Sequence, residues 1–517
     1  MKKIFIISII FTSMILLGNA QKLTQMTPPI DELSRTSLRV FEDSKDEISL
    51  LLTPAVRGRW GQDKAGNNTY IMHIERNANK IQSIIPNHIP DDYSVLLVCN
   101  NESEFIVYLS DYEKKEKQYT IYKNTYSKTG KSTFKPEKVA SFELLGKDNN
   151  YVFTSKSEDK SKCSIVFVVC DNKKVLKTIH AITMDNKGNI LWQKSENVQL
   201  PSASFNIQGC KVNNDGTIYS AIISYDINPR GNIVNNEYVN ILTFSENETK
   251  IASEAVKGFV IRESAMKMLK NGNIVVSGYS SAQPKSDVNN VFQIQFNPQD
   301  ESFSSFAKHP LNKIDNLLNT KALGGQIKLE KLNFTVLDIV ELENGEPVIL
   351  GELRAVVARR DSKGFTYYVH HAANILYHNL SETNTTNVVL RKYQTSTSGG
   401  SMSNVTNWSR LLISYSYLVK GNDVYFIYND HAKNFDKPRT DGCVYSYVLG
   451  KSACATLAKI DEDGKISKHL INRAKVNSCQ FYTNIHSFED ETLLLFNKRK
   501  NAFALKTDNM IFKLTDF

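Results

Sequence analysis

Beyond residue 17 the chain has no apolar run of the roughly 18–20 residues that a membrane-spanning helix needs. Helical periodicity is almost missing as well. Apolar residues recur at helical spacing over 312–324, where Ile314, Leu317 and Leu318 share a face and Gly324 can cap the end. That segment is read as a short helical insertion. The chain has no nucleophile elbow, phosphate loop, dinucleotide fingerprint or HExxH pair. The enzyme classes that declare themselves in one continuous stretch are thereby excluded. No Pro/Gly/Ser-rich linker divides the sequence, which argues against separable domains. Seven cysteines are an odd number and too scattered for a disulfide-built scaffold. The string Asp461-Glu462-Asp463-Gly464 begins like a calcium loop, but Asn472 stands where a bidentate Glu is required, so it reads as a hairpin turn.

The N-terminus does carry a pattern. Lys2 and Lys3 precede an apolar run over 4–17, and Gly18-Asn19-Ala20 follows. This is the form of a secretory signal peptide, with cleavage expected before Gln21. Residues 21–34 read as an extended lead-in, with Pro28-Pro29 blocking regular structure. The mature chain is expected to be an exported monomer, periplasmic or extracellular, with no transmembrane segment. The net charge of +9 is dispersed rather than gathered on one stretch, which disfavours a nucleic-acid partner.

From Leu38 onward nearly every apolar segment has strand length. The stretch from Phe205 to Val256 shows the unit, with four short runs joined by turns at Asn214-Asp215-Gly216 and around Asn247. The turns form two offset combs. One includes Asp215-Gly216, Asn271-Gly272, Asn344-Gly345 and Lys420-Gly421, and the other includes Asn186-Lys187-Gly188 and Asp463-Gly464. Successive units lie about 55–75 residues apart, within the range of propeller blades with generous loops. The expected fold is all-β, a single β-propeller over 35–517 with four-stranded antiparallel blades. The marks count to seven blades, or eight if residues 38–86 build their own. Thr395 to Ser403, rich in Thr, Ser and Gly, is read as a loop.

Within one such hairpin, Asp185-Asn186-Lys187-Gly188-Asn189-Ile190-Leu191-Trp192 resembles the turn-and-Trp element of quinoprotein-type propeller repeats. That resemblance covers a single hairpin and brings no active-site residue with it.

Function-bearing patterns are sparse. His370, His371 and His378 cluster on one strand and read as ordinary strand histidines. The most site-like stretch leaves an apolar strand at Tyr425. There Asn429, Asp430, His431 and Asn434 crowd a loop where a propeller presents its ligand face. Trp408, after the Thr/Ser/Gly run, could stack on a sugar. No catalytic residue, cofactor or metal ligand is assigned. The expected function is a non-catalytic binding or scaffold propeller, contacting an envelope protein or glycan through one loop face. The alternative is a glycan-active hydrolase or lyase whose acids come from separate blades.

Overall fold

The computed structural model describes strand backbones within 22–87 and 479–515, and most residues of 89–311, 333–399, 413–436, 444–445 and 452–473. The sequence positions expected to form a signal peptide, the 312–324 helix and Trp408 lie outside the described residues. The described strands fall into eight antiparallel sheets, six of them four-stranded meanders in simple chain order. Blade 1 begins at Thr36–Asp43, and blades 2 to 7 begin at Ser94–Asn100, Tyr151–Lys156, Ser204–Val212, Val260–Met268, Asn333–Glu341 and Ser416–Lys420. Blade 8 is Cys479–Phe481, Glu491–Arg499 and Thr507–Thr515, completed by Lys22–Gln25 from the other end of the chain. The pairing runs from Lys22 opposite Thr515 to Gln25 opposite Phe512. The segment read as an extended lead-in therefore supplies an outer strand at 22–25, and the sheet count is the higher of the two expected.

First strands of neighbouring blades contact one another in blades 3 to 6, which happens only close to a common axis. The buried clusters lie between successive sheets. Tyr219, Ala221, Ile223, Val239 and Ile241 face blade 5, whereas Ile218, Ile222, Leu242 and Phe244 face blade 3. Period-two alternation sends successive side chains to opposite sides. Both sides are covered, so the strands read as near-continuous apolar runs. The aromatics fill these seams. Tyr119 of blade 2 stacks on Phe167 of blade 3 at 4.5 Å between centroids, and Phe167 is fully buried, a burial worth about 2–3 kcal/mol. A radial stack of meanders closed by strands from both ends of the chain is a β-propeller.

Antiparallel connectivity gives the ring two unlike faces. First-to-second and third-to-fourth turns share the lower face, while second-to-third hairpins and blade-to-blade connections share the upper. Among the described residues most positive-φ glycines lie in lower turns, Gly258 and Gly364 being the upper ones, and Gly272 sits at φ +86°, where a side chain would be strained. Thr183 and Trp192 both donate to the Gly216 carbonyl of the next blade, tying lower turns together. Thr395–Gly399, read as loop, instead ends the strand Thr385–Gly399.

Candidate functional site

The second and third strands of blade 6 are Pro347–Arg360 and Thr366–Leu380, longer than their counterparts in blades 2 to 5 and 7. Their hairpin, closed by Gly364 at φ +82°, projects from the upper face. Two irregularities shape it. Ala373 pairs with Tyr393 but Ile375 pairs with Leu390, so Asn374 bulges on one strand and Arg391 and Lys392 on the next. The bulge at Asn374 reverses the alternation: Ala373 and Leu376 face blade 5, whereas Ile375 and Tyr377 face blade 7. His371 rather than His370 therefore shares a side with His378. Both are core histidines. His371 Nδ1 lies 2.9 Å from the Tyr393 hydroxyl. His378 lies between Asn387 and Tyr279, and burial pushes its imidazole down to about 4.

On the side facing blade 7 the extra residues turn Lys392 into the seam. Lys392 and Glu352 are both fully buried, with Nζ 2.5 Å from Oε1. Lys392 also donates to Gln394 Oε1 at 2.7 Å. Arg354 Nε donates to Glu352 Oε2 at 2.6 Å, and its Nη2 donates to Ser414 Oγ at 2.6 Å. Burial alone would raise the Glu352 carboxyl, but the charges of Lys392 and Arg354 hold it below its ordinary value. Gln394 completes the link to blade 7, accepting from the Ser414 backbone and donating to the Asn429 carbonyl at 2.7 Å.

The loop residues singled out from sequence continue this network. Asn429 and Asp430 are buried in the strand Asp423–His431 rather than displayed on a loop. Asp430 Oδ1 accepts from the His431 backbone and from Asn434 Nδ2, while Oδ2 is buried without a partner. Burial raises its carboxyl, and Lys468 is the main opposing charge. Asn434 lies in the short helix Lys433–Asp436 and clamps the loop, since its side chain meets both the N–H and the carbonyl of Tyr445. His431 stacks on Tyr445, and Lys433 lies over the same ring at 5.4 Å. Burial and Lys433 hold the His431 imidazole below its usual range. Asn429, Asp430 and Asn434 thus position, and His431 is the half-exposed member.

Sequence reasoning missed Glu352, Arg354, Lys392, Gln394 and Ser414. The signal was a Glu inside the apolar run Pro347 to Ala358 and a Lys inside Val388 to Tyr393. A charge amid buried strand residues needs a partner.

Above this network the blade 6 hairpin is bare. Arg354 and Val356 share a side, and the cross-strand partner of Ala358 places Tyr368 on it too. Val356 is 60% exposed, Tyr368 45% and Phe365, at the tip, 55%. Two acids stand on the same upper face in neighbouring blades. Glu237 is buried, with Oε2 2.5 Å from the Ile261 N–H and Oε1 unpartnered, and burial pushes its carboxyl up to about 7. Glu263, on the innermost strand of blade 5, is raised by burial and faces the Arg354 charge. Gly278 lets that strand bulge inward there, since a Cβ on it would lie 2.0 Å from the Glu263 carbonyl.

Fold and site together define an eight-sheet β-propeller with one built-up sector on its upper face. No protein-family model matches the chain, and no curated protein matches it. Among solved structures it is similar to the polysaccharide lyase Uly1, at 9% identity and TM-score 0.36 over 81% of this chain and 89% of that one. It is similar to a PL25 ulvan lyase at 8% identity and TM-score 0.40, over 97% and 96% of the two chains. It is also similar to the β-propeller domain of the Trilobed protease from Pyrococcus furiosus at 10% identity and TM-score 0.30, over 82% and 93%. At these levels the fold rests on the sheet topology itself.

Proposed function

We propose that the protein is a glycan-binding propeller that takes its ligand on the upper face of blades 6 and 7. One observation carries the reading: Tyr368 and Val356 form an exposed apolar strip that runs directly down to Arg354, which is held by buried charge. A sugar ring offers an apolar C–H face and a polar edge, and such a strip beside fixed donors matches both. Three exposed side chains make a narrow ribbon, well short of a protein-sized interface. Export and an envelope setting belong to this proposal. Affinity electrophoresis through gels containing neutral and acidic polysaccharides tests it. The reading expects retardation by at least one polysaccharide and its loss in Tyr368→Ala. No retardation by any, or unchanged retardation in the variant, removes it.

A second reading, a glycan-active enzyme, is favoured by Glu237 and Glu263, two raised carboxyls from adjacent blades on the same face. It requires release of reducing ends or unsaturated products from the retained polysaccharide and loss of that release in Glu263→Gln.

A further inference from the structure

We propose that Arg354 is the anion subsite of this face and that the glycan it serves is acidic, carrying a carboxylate on each repeat. The inference rests on the glycan-binding reading above. Glu352 and Lys392 would form a neutral pair by themselves, both fully buried. Arg354 brings a second positive charge to the same carboxylate and is the member of the three that reaches solvent; beyond the three, Asp430 acts on Lys392 and Glu263 on Arg354. The Arg354 side chain is 40% exposed, and Glu352 is the one ion-pair partner it has among the described residues.

The guanidinium is also held in place. Nε is fixed on Glu352 Oε2 and one Nη2 hydrogen on Ser414 Oγ, both at 2.6 Å. Glu352 is fixed in turn by Lys392, Lys392 by Gln394, and Gln394 by the backbone of Ser414 and Asn429. Three of the five N–H donors remain for a ligand, including both on Nη1, and their plane cannot swing away. A guanidinium oriented before binding loses less entropy when it meets a planar carboxylate in a two-point fork. A lysine at this position would give the charge without the fork. Position along the face agrees: Arg354 pairs with Asn333, the first residue of the innermost strand, so it sits at the upper mouth of the axis, directly below Val356 and Tyr368. Glu263 is the carboxylate facing it from blade 5.

The test is calorimetric titration with an oligogalacturonate and with the same oligosaccharide after reduction of its carboxyls to alcohols. Wild-type protein is expected to bind the acidic form at least tenfold more tightly, with affinity falling as NaCl rises. Arg354→Met should remove that preference, and Arg354→Lys should keep part of it. Melting curves of both variants report whether they fold. Equal affinity for the two oligosaccharides, unaltered in Arg354→Met, overturns the anion subsite and leaves the glycan-binding reading standing. Binding of neither form also overturns the subsite for such an acidic repeat, while the glycan-binding reading is decided separately by whether any polysaccharide retards the protein.

Discussion

Replacing Lys392 with Met tests the buried charge on which the site is built. The methionine fills similar volume but removes two short charge-assisted hydrogen bonds, to Glu352 and Gln394. Glu352 keeps Arg354 on Oε2 but loses the one partner it has on Oε1 among the described residues, in a fully buried place. Breaking one side of such a pair costs about 3–5 kcal/mol, because a charge is left in low dielectric. In a protein this large the melting temperature should fall by roughly 3–5 °C. The double variant Glu352→Leu, Lys392→Met removes both charges. It should recover most of the loss, since Arg354 is exposed enough to be hydrated once released. Differential scanning fluorimetry of the three proteins measures this. The stable double variant should still lose most of the preference for acidic oligosaccharide, because Arg354 then keeps only its bond to Ser414 and its plane can swing. A single variant melting within about 1 °C of wild type, or a double variant no better than the single, would refute the reasoning.

Four further outcomes are expected. Glu237 has its folded carboxyl raised from 4.5 to about 7. The folded state therefore holds a proton the unfolded chain has lost, and stability should decline as pH rises from ~4.5 through ~7, by about 3 kcal/mol in all. Glu237→Gln should flatten that decline in urea titrations at several pH values, and an unchanged slope counts against it. A Cβ on Gly351 would lie 2.1 Å from the Tyr279 hydroxyl, so Gly351→Ala should cost about 1–3 kcal/mol, and adding Tyr279→Phe should return part of it. Additive losses in that cycle would show that the contact is not the cause. Deleting 507–517 removes the strand shared by Glu491–Arg499 and Lys22–Gln25; the protein should aggregate through the opened edge. Deleting 22–25 should also lower the melting temperature, where a dispensable lead-in would leave it unchanged.

The meander was legible because its turns are local. Gly216, Gly272 and Gly345 take positive φ at lower turns, as their Asp-Gly and Asn-Gly pairs suggest, and Gly421 of Lys420-Gly421 does the same. The first and last blades blurred the count for a physical reason. Blade 8 draws strands from both ends of the chain, so neither end displays a full unit, and the connecting hairpin of blade 1 lacks Gly. The site was legible in part. Asp430 and Asn434 stood out by polarity, but polarity does not distinguish a clamp from a contact. Arg354 was hidden because its orientation depends on Lys392, 38 positions away and turned inward by a bulge that pairing alone creates. Cys163 and Cys170 behaved as small apolar residues on opposite sides of blade 3, facing blades 2 and 4.

The most direct test of the glycan-binding face is hydrogen–deuterium exchange with and without the oligosaccharide that the protein retains. Protection is expected in 352–370 and 413–436 on the upper face of blades 6 and 7, with no change in the lower turns at 213–216, 269–272 and 342–346. Protection confined to the lower turns, or spread evenly around the ring, would contradict the account.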